Sequence, residues 1–136
     1  MKGLKRIFSG RQNARERTLR MLVEAINDSR YDTVATLVTD DIGILDTNGG
    51  RIDGRDAFIE QDRAYREALG GPGLIVESLF SARGEIFVRG RLDSSNPQVN
   101  GPTLWRVRFN GDRINQIEIT RTGGQPTVAS FAASRG

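Results

Sequence analysis

The chain has 136 residues, about 37% of them apolar, with no cysteine, no histidine and a formal net charge of +3. That length suits one domain with a real core and leaves little room for a second. Without Cys or His there are no disulfides, no thiolate nucleophile and no imidazole base or ligand, so any chemistry falls to carboxylates, Tyr, Lys, Arg or backbone amides.

The charge is unevenly placed. Residues 1–20 hold Lys2, Lys5, Arg6, Arg11, Arg15, Arg17 and Arg20 against Glu16, which leaves the rest of the chain net negative. Residues 1–13 therefore read as a basic flexible arm, able to meet an anionic surface through charge alone. Such a distribution does not predict a specific nucleic-acid partner. No apolar run approaches the roughly 18 residues needed to span a bilayer. The opening MKGLKRIFSGR lacks the apolar centre of a signal peptide, so a cytoplasmic location is the expectation.

From near Asn13 a helix is predicted, with Leu19, Leu22, Val23 and Ile26 at the spacing of one buried stripe. Asn27, Asp28 and Ser29 break it. Asp32 is placed to cap a short second helix carrying Val34, Leu37 and Val38, packed on the first as a hairpin. After Asp40 and Asp41 comes a strand in which Ile42, Ile44 and Asp46 share one parity, so a carboxylate lies on the face of two isoleucines. Burying it there would desolvate it, which is how a carboxylate becomes a useful base near neutral pH. The same Asp46 also opens a turn, Thr47, Asn48, Gly49, Gly50, where Asp commonly bonds a backbone N–H two residues on.

Asp53 is predicted to cap a third helix with Phe58, Tyr65 and Leu69 on one side, ending at Gly70, Gly71, Pro72 and Gly73. The period then changes to two. Leu74–Ala82 and Ile86–Asp93 read as antiparallel strands about Arg83 and Gly84, with Leu74, Val76, Ser78, Phe80 and Ala82 on one parity. After the loop SSNPQVNGP, Thr103, Trp105, Val107 and Phe109 alternate with Leu104, Arg106 and Arg108. An Asn110, Gly111, Asp112 turn leads to a last strand with Ile117 and Ile119 inward. The domain reads as residues 14–122, and residues 123–136 as a loose C-terminal tail in which Val128 and Phe131 are the residues able to dock.

Three helices, an inserted short strand and a run of long antiparallel strands form an α+β order. With TDD closing the helical hairpin, IGILD as the strand, GRDAF opening the third helix and VRFNGDRINQIEI as the final hairpin, residues 14–121 resemble the nuclear transport factor 2-like superfamily, in its SnoaL-like and ketosteroid-isomerase-like branch. The resemblance implies a cone-shaped α+β barrel, the three N-terminal helices packed in a strongly curved antiparallel sheet around a pocket. It places the catalytic base of isomerase-like members on Asp46, with Trp105, Phe58, Tyr65, Leu22 and Ile44 as substrate-binding wall residues.

Two positions depart from that branch. Its first-helix Tyr donor falls on Leu22 and its protonated Asp on or near Trp105, so both oxyanion donors are replaced. Arg91, Leu92 and Asp93 match the Arg-x-Asp spacing of the limonene-epoxide-hydrolase branch, without the accompanying Tyr, Asn and second carboxylate. The expectation is a small-molecule pocket protein: an isomerase, cyclase or hydrolase with a buried Asp as base on a small hydrophobic substrate. The alternative is a non-catalytic ligand-binding or dimerisation domain. No cofactor or metal is implied. A homodimer through the outer sheet face is expected, where Leu79 and Phe87 sit among Arg89, Arg91, Arg106 and Arg108, with Glu77 and Glu118 as their cross-strand partners.

Overall fold

The computed structural model describes the backbone of residues 2–135 and the side chains of residues 10–135. In chain order the elements are α1 (Lys2–Asn27), α2 (Tyr31–Leu37), β1 (Val38–Asp46), β2 (Arg51–Asp53), α3 (Arg55–Ala68), β3 (Gly73–Ala82), β4 (Glu85–Asp93), β5 (Gly101–Asn110), β6 (Arg113–Thr120) and α4 (Val128–Arg135). The strands form one sheet in the order β2-β1-β6-β5-β4-β3. No helix among the described residues is long and apolar enough to cross a membrane.

The stripe predicted on α1 is the centre of the core: Leu19, Leu22, Val23 and Ile26 are all buried, against Val34, Ile42, Val88, Val107 and Ile117. At the end of α1, Asn27 does more than break the helix. Its side chain donates to the Leu74 carbonyl and accepts from the Leu74 amide, both at 2.9 Å. An edge-strand residue thereby has both backbone groups satisfied by one amide side chain.

The architecture is α+β, as the resemblance implies, with four differences of detail. The sheet is open rather than a closed barrel, because its edge strands β2 and β3 do not pair with each other. It is mixed rather than wholly antiparallel, since β1 runs parallel to β6. Those strands are far apart in sequence, so no hairpin dictates their direction. Within the expected arm, residues 2–13 are part of α1, whereas Met1 lies outside the described residues. The expected loose tail is instead a turn followed by α4, whose Val128 and Ala129 are buried.

Local readings also shift. Asp32 lies inside the first turn of α2, after an Arg30 N-cap, and Asp53 ends β2, leaving Gly54 as the N-cap of α3. The β3–β4 hairpin turns through Arg83 (φ 54°) and Gly84 (φ 79°), the two positive dihedrals that a type I′ turn requires. A register shift between Val76 and Ser78 makes β3 longer by one residue than its partner there. The extra residue reverses the inward parity: Leu79 packs on the core, and Phe80, predicted inward, is 60% exposed and stacked on Phe87 at 4.9 Å.

Candidate functional site

A cavity of about 50 Å³ lies between α1, α3, α4 and the inner sheet face. Apolar groups make most of its wall, among them Val23, Ile26, Ile44, Phe58, Leu74, Trp105, Ile117 and Ile119. Four of the sequence-predicted wall residues, Ile44, Phe58, Tyr65 and Trp105, therefore meet around one space. Leu22 is fully buried but belongs to the core outside that lining.

Asp46 is also outside the lining. It is buried on the Ile42 and Ile44 face, as its parity predicts, yet both oxygens are occupied. Oδ1 accepts the Asn48 amide at 2.6 Å, the turn-forming bond two residues on, and Oδ2 accepts the Thr127 hydroxyl at 2.7 Å. Thr127 caps α4 reciprocally with Ser130: the Ser130 amide donates to Thr127 Oγ1 at 3.0 Å and the Thr127 amide to Ser130 Oγ at 2.9 Å. Through this one hydroxyl, β1 holds the start of the last helix. Gly50 permits the approach, since a Cβ there would collide with the Ala129 backbone.

The carboxylate that does line the cavity is Asp62 of α3. It is 5% exposed, on the same helix face as Phe58 and Tyr65. Its Oδ2 accepts the Tyr31 hydroxyl at 2.8 Å and Arg66 Nε at 3.0 Å, while Oδ1 accepts no hydrogen bond among the described residues. Burial raises the Asp62 carboxyl above the ordinary carboxylate range, outweighing the nearby Arg66 charge and the two hydrogen bonds. Burial likewise raises the Tyr31 hydroxyl, helped by the adjacent carboxylate, and pushes Tyr65 up to about 12. Tyr65 donates to the Pro126 carbonyl at 3.0 Å, a second tie to the segment before α4.

Two further polar groups reach the wall. Arg121 is 4% exposed and is held by carbonyls alone: Nη2 donates to Val99 at 2.6 Å, Nε to Pro102 at 2.9 Å and Nη1 to Pro126 at 3.3 Å. Burial lowers its pKa, offset by Tyr65 and Asp46, and a guanidinium remains charged across the accessible pH range. Thr103 is buried with its Oγ1 unpartnered, an acceptor and donor left for something inside the cavity to satisfy.

Arg91 and Asp93, the Arg-x-Asp pair, lie outside this lining, where only Leu92 between them contributes. Among the described residues no three carboxylates gather at metal-binding spacing. Asp62 had a sequence signal that the alternation of apolar residues hid. It lies four positions after Phe58 and three before Tyr65, so it interrupts an otherwise apolar helix stripe.

No family model and no curated protein matches the sequence. Solved structures do match. An NTF2-like protein of unknown function from Cytophaga hutchinsonii superposes with a TM-score of 0.66 at 7% identity, covering 77% of this chain and 87% of its own. The chain has the nuclear transport factor 2-like fold. Within that fold, a protein with a ketosteroid isomerase-like fold from Catenulispora acidiphila, in complex with trimethylamine, gives a TM-score of 0.68 at 13% identity, covering 83% and 91% of the two chains. An LEH-like epoxide hydrolase from M. tuberculosis gives 0.68 at 15% identity, covering 79% and 82%. At such identities the likeness is one of backbone, and the nuclear transport factor 2-like chains share no site by that fact alone.

The two buried carboxylates can be tested separately. Replacing Asp46 by Ala or Thr127 by Val should cost about 1–3 kcal/mol and raise amide hydrogen exchange across residues 127–135 more than in α1. Exchange that rises equally everywhere would mean the bond does not hold α4 locally. For Asp62 the folded pKa lies above the unfolded value of 3.8, so folded protein binds the proton more tightly. The stability this group contributes is then fully present below 3.8 and is lost as pH rises through the folded value. Urea unfolding at a series of pH values should show wild type losing stability relative to Asp62→Asn over that window; a relative gain with rising pH would mean that the Arg66 charge outweighs burial.

Proposed function

We propose that this is a small-molecule pocket protein that performs acid–base chemistry on a compact hydrophobic substrate, with Asp62 in the role first expected of Asp46. The observation that carries the reading is a buried carboxyl on an otherwise apolar cavity wall, one oxygen tied by Tyr31 and Arg66 and the other unbonded. Burial raises this carboxyl, so it keeps its proton to higher pH than an ordinary surface Asp and is the stronger base once ionised. The Tyr31 and Arg66 contacts set the orientation of the carboxyl. The unpartnered Thr103 hydroxyl and the Trp105 ring would receive the polar and flat parts of a substrate. Isomerase, cyclase and hydrolase chemistry all suit this set, and none of them needs a cofactor.

At about 50 Å³ the space is far smaller than the roughly 300 Å³ of a typical ligand pocket, so a wall must yield on binding. The wall assigned to yield is the turn leading into α4, which contributes Thr127 and Val128. Substrate entry and the Asp46–Thr127 bond are then opposed. Asp46 acts in this reading as the latch of the pocket and Asp62 as its acid–base group.

Thermal-shift and turnover screening with small ketones, lactones and epoxides tests the assignment. Ligands that shift wild type should lose at least tenfold in affinity or rate with Asp62→Asn, about 1.4 kcal/mol, and keep their effect with Asp46→Asn. The reverse pattern would return the base to Asp46, and equal responses of all three proteins would remove carboxylate chemistry altogether.

A second reading, association through the outer sheet face, is supported by the exposed Phe80 stacked on Phe87, with Leu104 45% exposed beside Arg89. Leu79 was expected on this face and points to the core instead, so Phe80 takes its place. Glu85 there accepts from Arg106 at 2.6 Å and from Arg108 at 2.9 Å, and Glu118 lies across from Arg106 in the β5–β6 register, as expected. A face carrying aromatics with charges of both signs is suited to pairing with a second copy of itself. Light scattering should give a dimer that Phe80→Glu converts to monomer; a monomeric wild type would sink this reading.

A further inference from the structure

We infer that the cleft between the N-terminal half of α1 and the β3–β4 hairpin is an anion site that takes the phosphate group of a small phosphorylated molecule. The cleft is about 530 Å³, within the range of small-molecule pockets, and it shares no lining residue with the Asp62 cavity. Arg11, Arg15 and Arg83 line it together with Gln12, Ser81 and Glu85.

Arg15 is the fixed member of this set. Its Nε donates to the Gly111 carbonyl at 2.9 Å and its Nη1 to the Gly84 carbonyl at 3.0 Å, bridging the tips of both hairpins. The guanidinium lies 5.2 Å from the centroid of the Phe109 ring, which further restricts it. Two of its nitrogens are thus committed and Nη2 is left over, so an oxyanion arriving there meets a donor whose orientation is already determined. Arg83 joins the lining from the left-handed turn of the β3–β4 hairpin, at φ 54°.

Neither Arg11 nor Arg83 has a carboxylate within ion-pair distance among the described residues. Glu85, the acidic side chain of the lining, is taken by Arg106 and Arg108 and does not neutralise them. Arg11, Arg15 and Arg83 therefore line one concavity with no ion pair of their own among the described residues. The Ser81 hydroxyl, of a residue in the same lining, is shielded from water and has no partner among the described residues, a donor that an anion seated in the cleft could satisfy. A phosphate carries the charge and the three acceptor oxygens that such a donor set calls for, whereas a single carboxylate would leave part of it unused.

The test is a titration of the whole chain with inorganic phosphate, and separately with acetate, at constant ionic strength, followed by amide chemical shifts. Phosphate should give saturable shifts at Ser81, Arg83 and Gly84, with acetate at least tenfold weaker. The double variant Arg11→Gln, Arg83→Asn should weaken phosphate binding at least tenfold at an unchanged melting temperature. Asn keeps the turn because it accepts positive φ and precedes Gly84, as Asn-Gly does in type I′ turns. Non-saturating shifts, equal binding of acetate, or a double variant that binds like wild type would overturn the assignment. The outcome is independent of Asp62, whose variants should leave phosphate binding intact.

Discussion

The hydrogen bond from the Thr127 hydroxyl to Asp46 joins the first strand to the last helix, at a residue that itself lines the cavity. Asp46 lies at the end of β1, where the chain turns away from the sheet, and its two oxygens have separate tasks. One shapes the turn through Asn48 and the other holds the cap residue of α4. A buried carboxylate that accepts two hydrogen bonds is stable where an unpaired one would not be, so the same arrangement both tolerates and uses the buried charge. Beside it, Tyr65 and Arg121 donate to the Pro126 carbonyl, the Ala129 backbone packs on Gly50, and Phe131 sits edge-on to Tyr65 at 5.7 Å.

Three buried charged side chains, Asp46, Asp62 and Arg121, sit around one apolar space, and each meets its solvation demand differently. Asp46 uses an amide and a hydroxyl, Arg121 uses backbone carbonyls, and Asp62 uses a phenol and a cation on its own helix. Only Asp62 faces the cavity and retains an unbonded oxygen. An unbonded oxygen on the cavity wall, not burial alone, separates Asp62 from Asp46, which lies outside the lining, and from Arg121, which lines it but is committed to carbonyls.

The structure also separates two surfaces by polarity. The inner cavity is small and largely apolar, whereas the cleft under the N-terminal half of α1 is open and lined by guanidinium groups. Arg15 ties the helix to both hairpin tips and so belongs equally to the fold and to the basic cleft. A single residue with this dual part is economical in a chain of 136 residues, where few side chains can be spared from the core.

The sequence by itself determined the α+β order, the buried stripe of α1, the inward parity of Ile42, Ile44 and Asp46 and the wall residues Ile44, Phe58, Tyr65 and Trp105. The order, the stripe and the parity derive from periodicities of 3.6 and 2, which are local properties of the chain, whereas the wall residues came with the family resemblance. It also held the signal for Asp62, a carboxylate interrupting the Phe58 and Tyr65 stripe. Only the tertiary structure decided that Asp46 is latched to Thr127, because its partner lies 81 residues away and neither residue marks the other. The same holds for the docking of α4 and for the parallel pairing of β1 with β6, which depend on long-range closure. The reversal of Leu79 and Phe80 belongs here too: one extra residue in β3 exchanges the faces of every residue after it, and no local pattern announces the bulge.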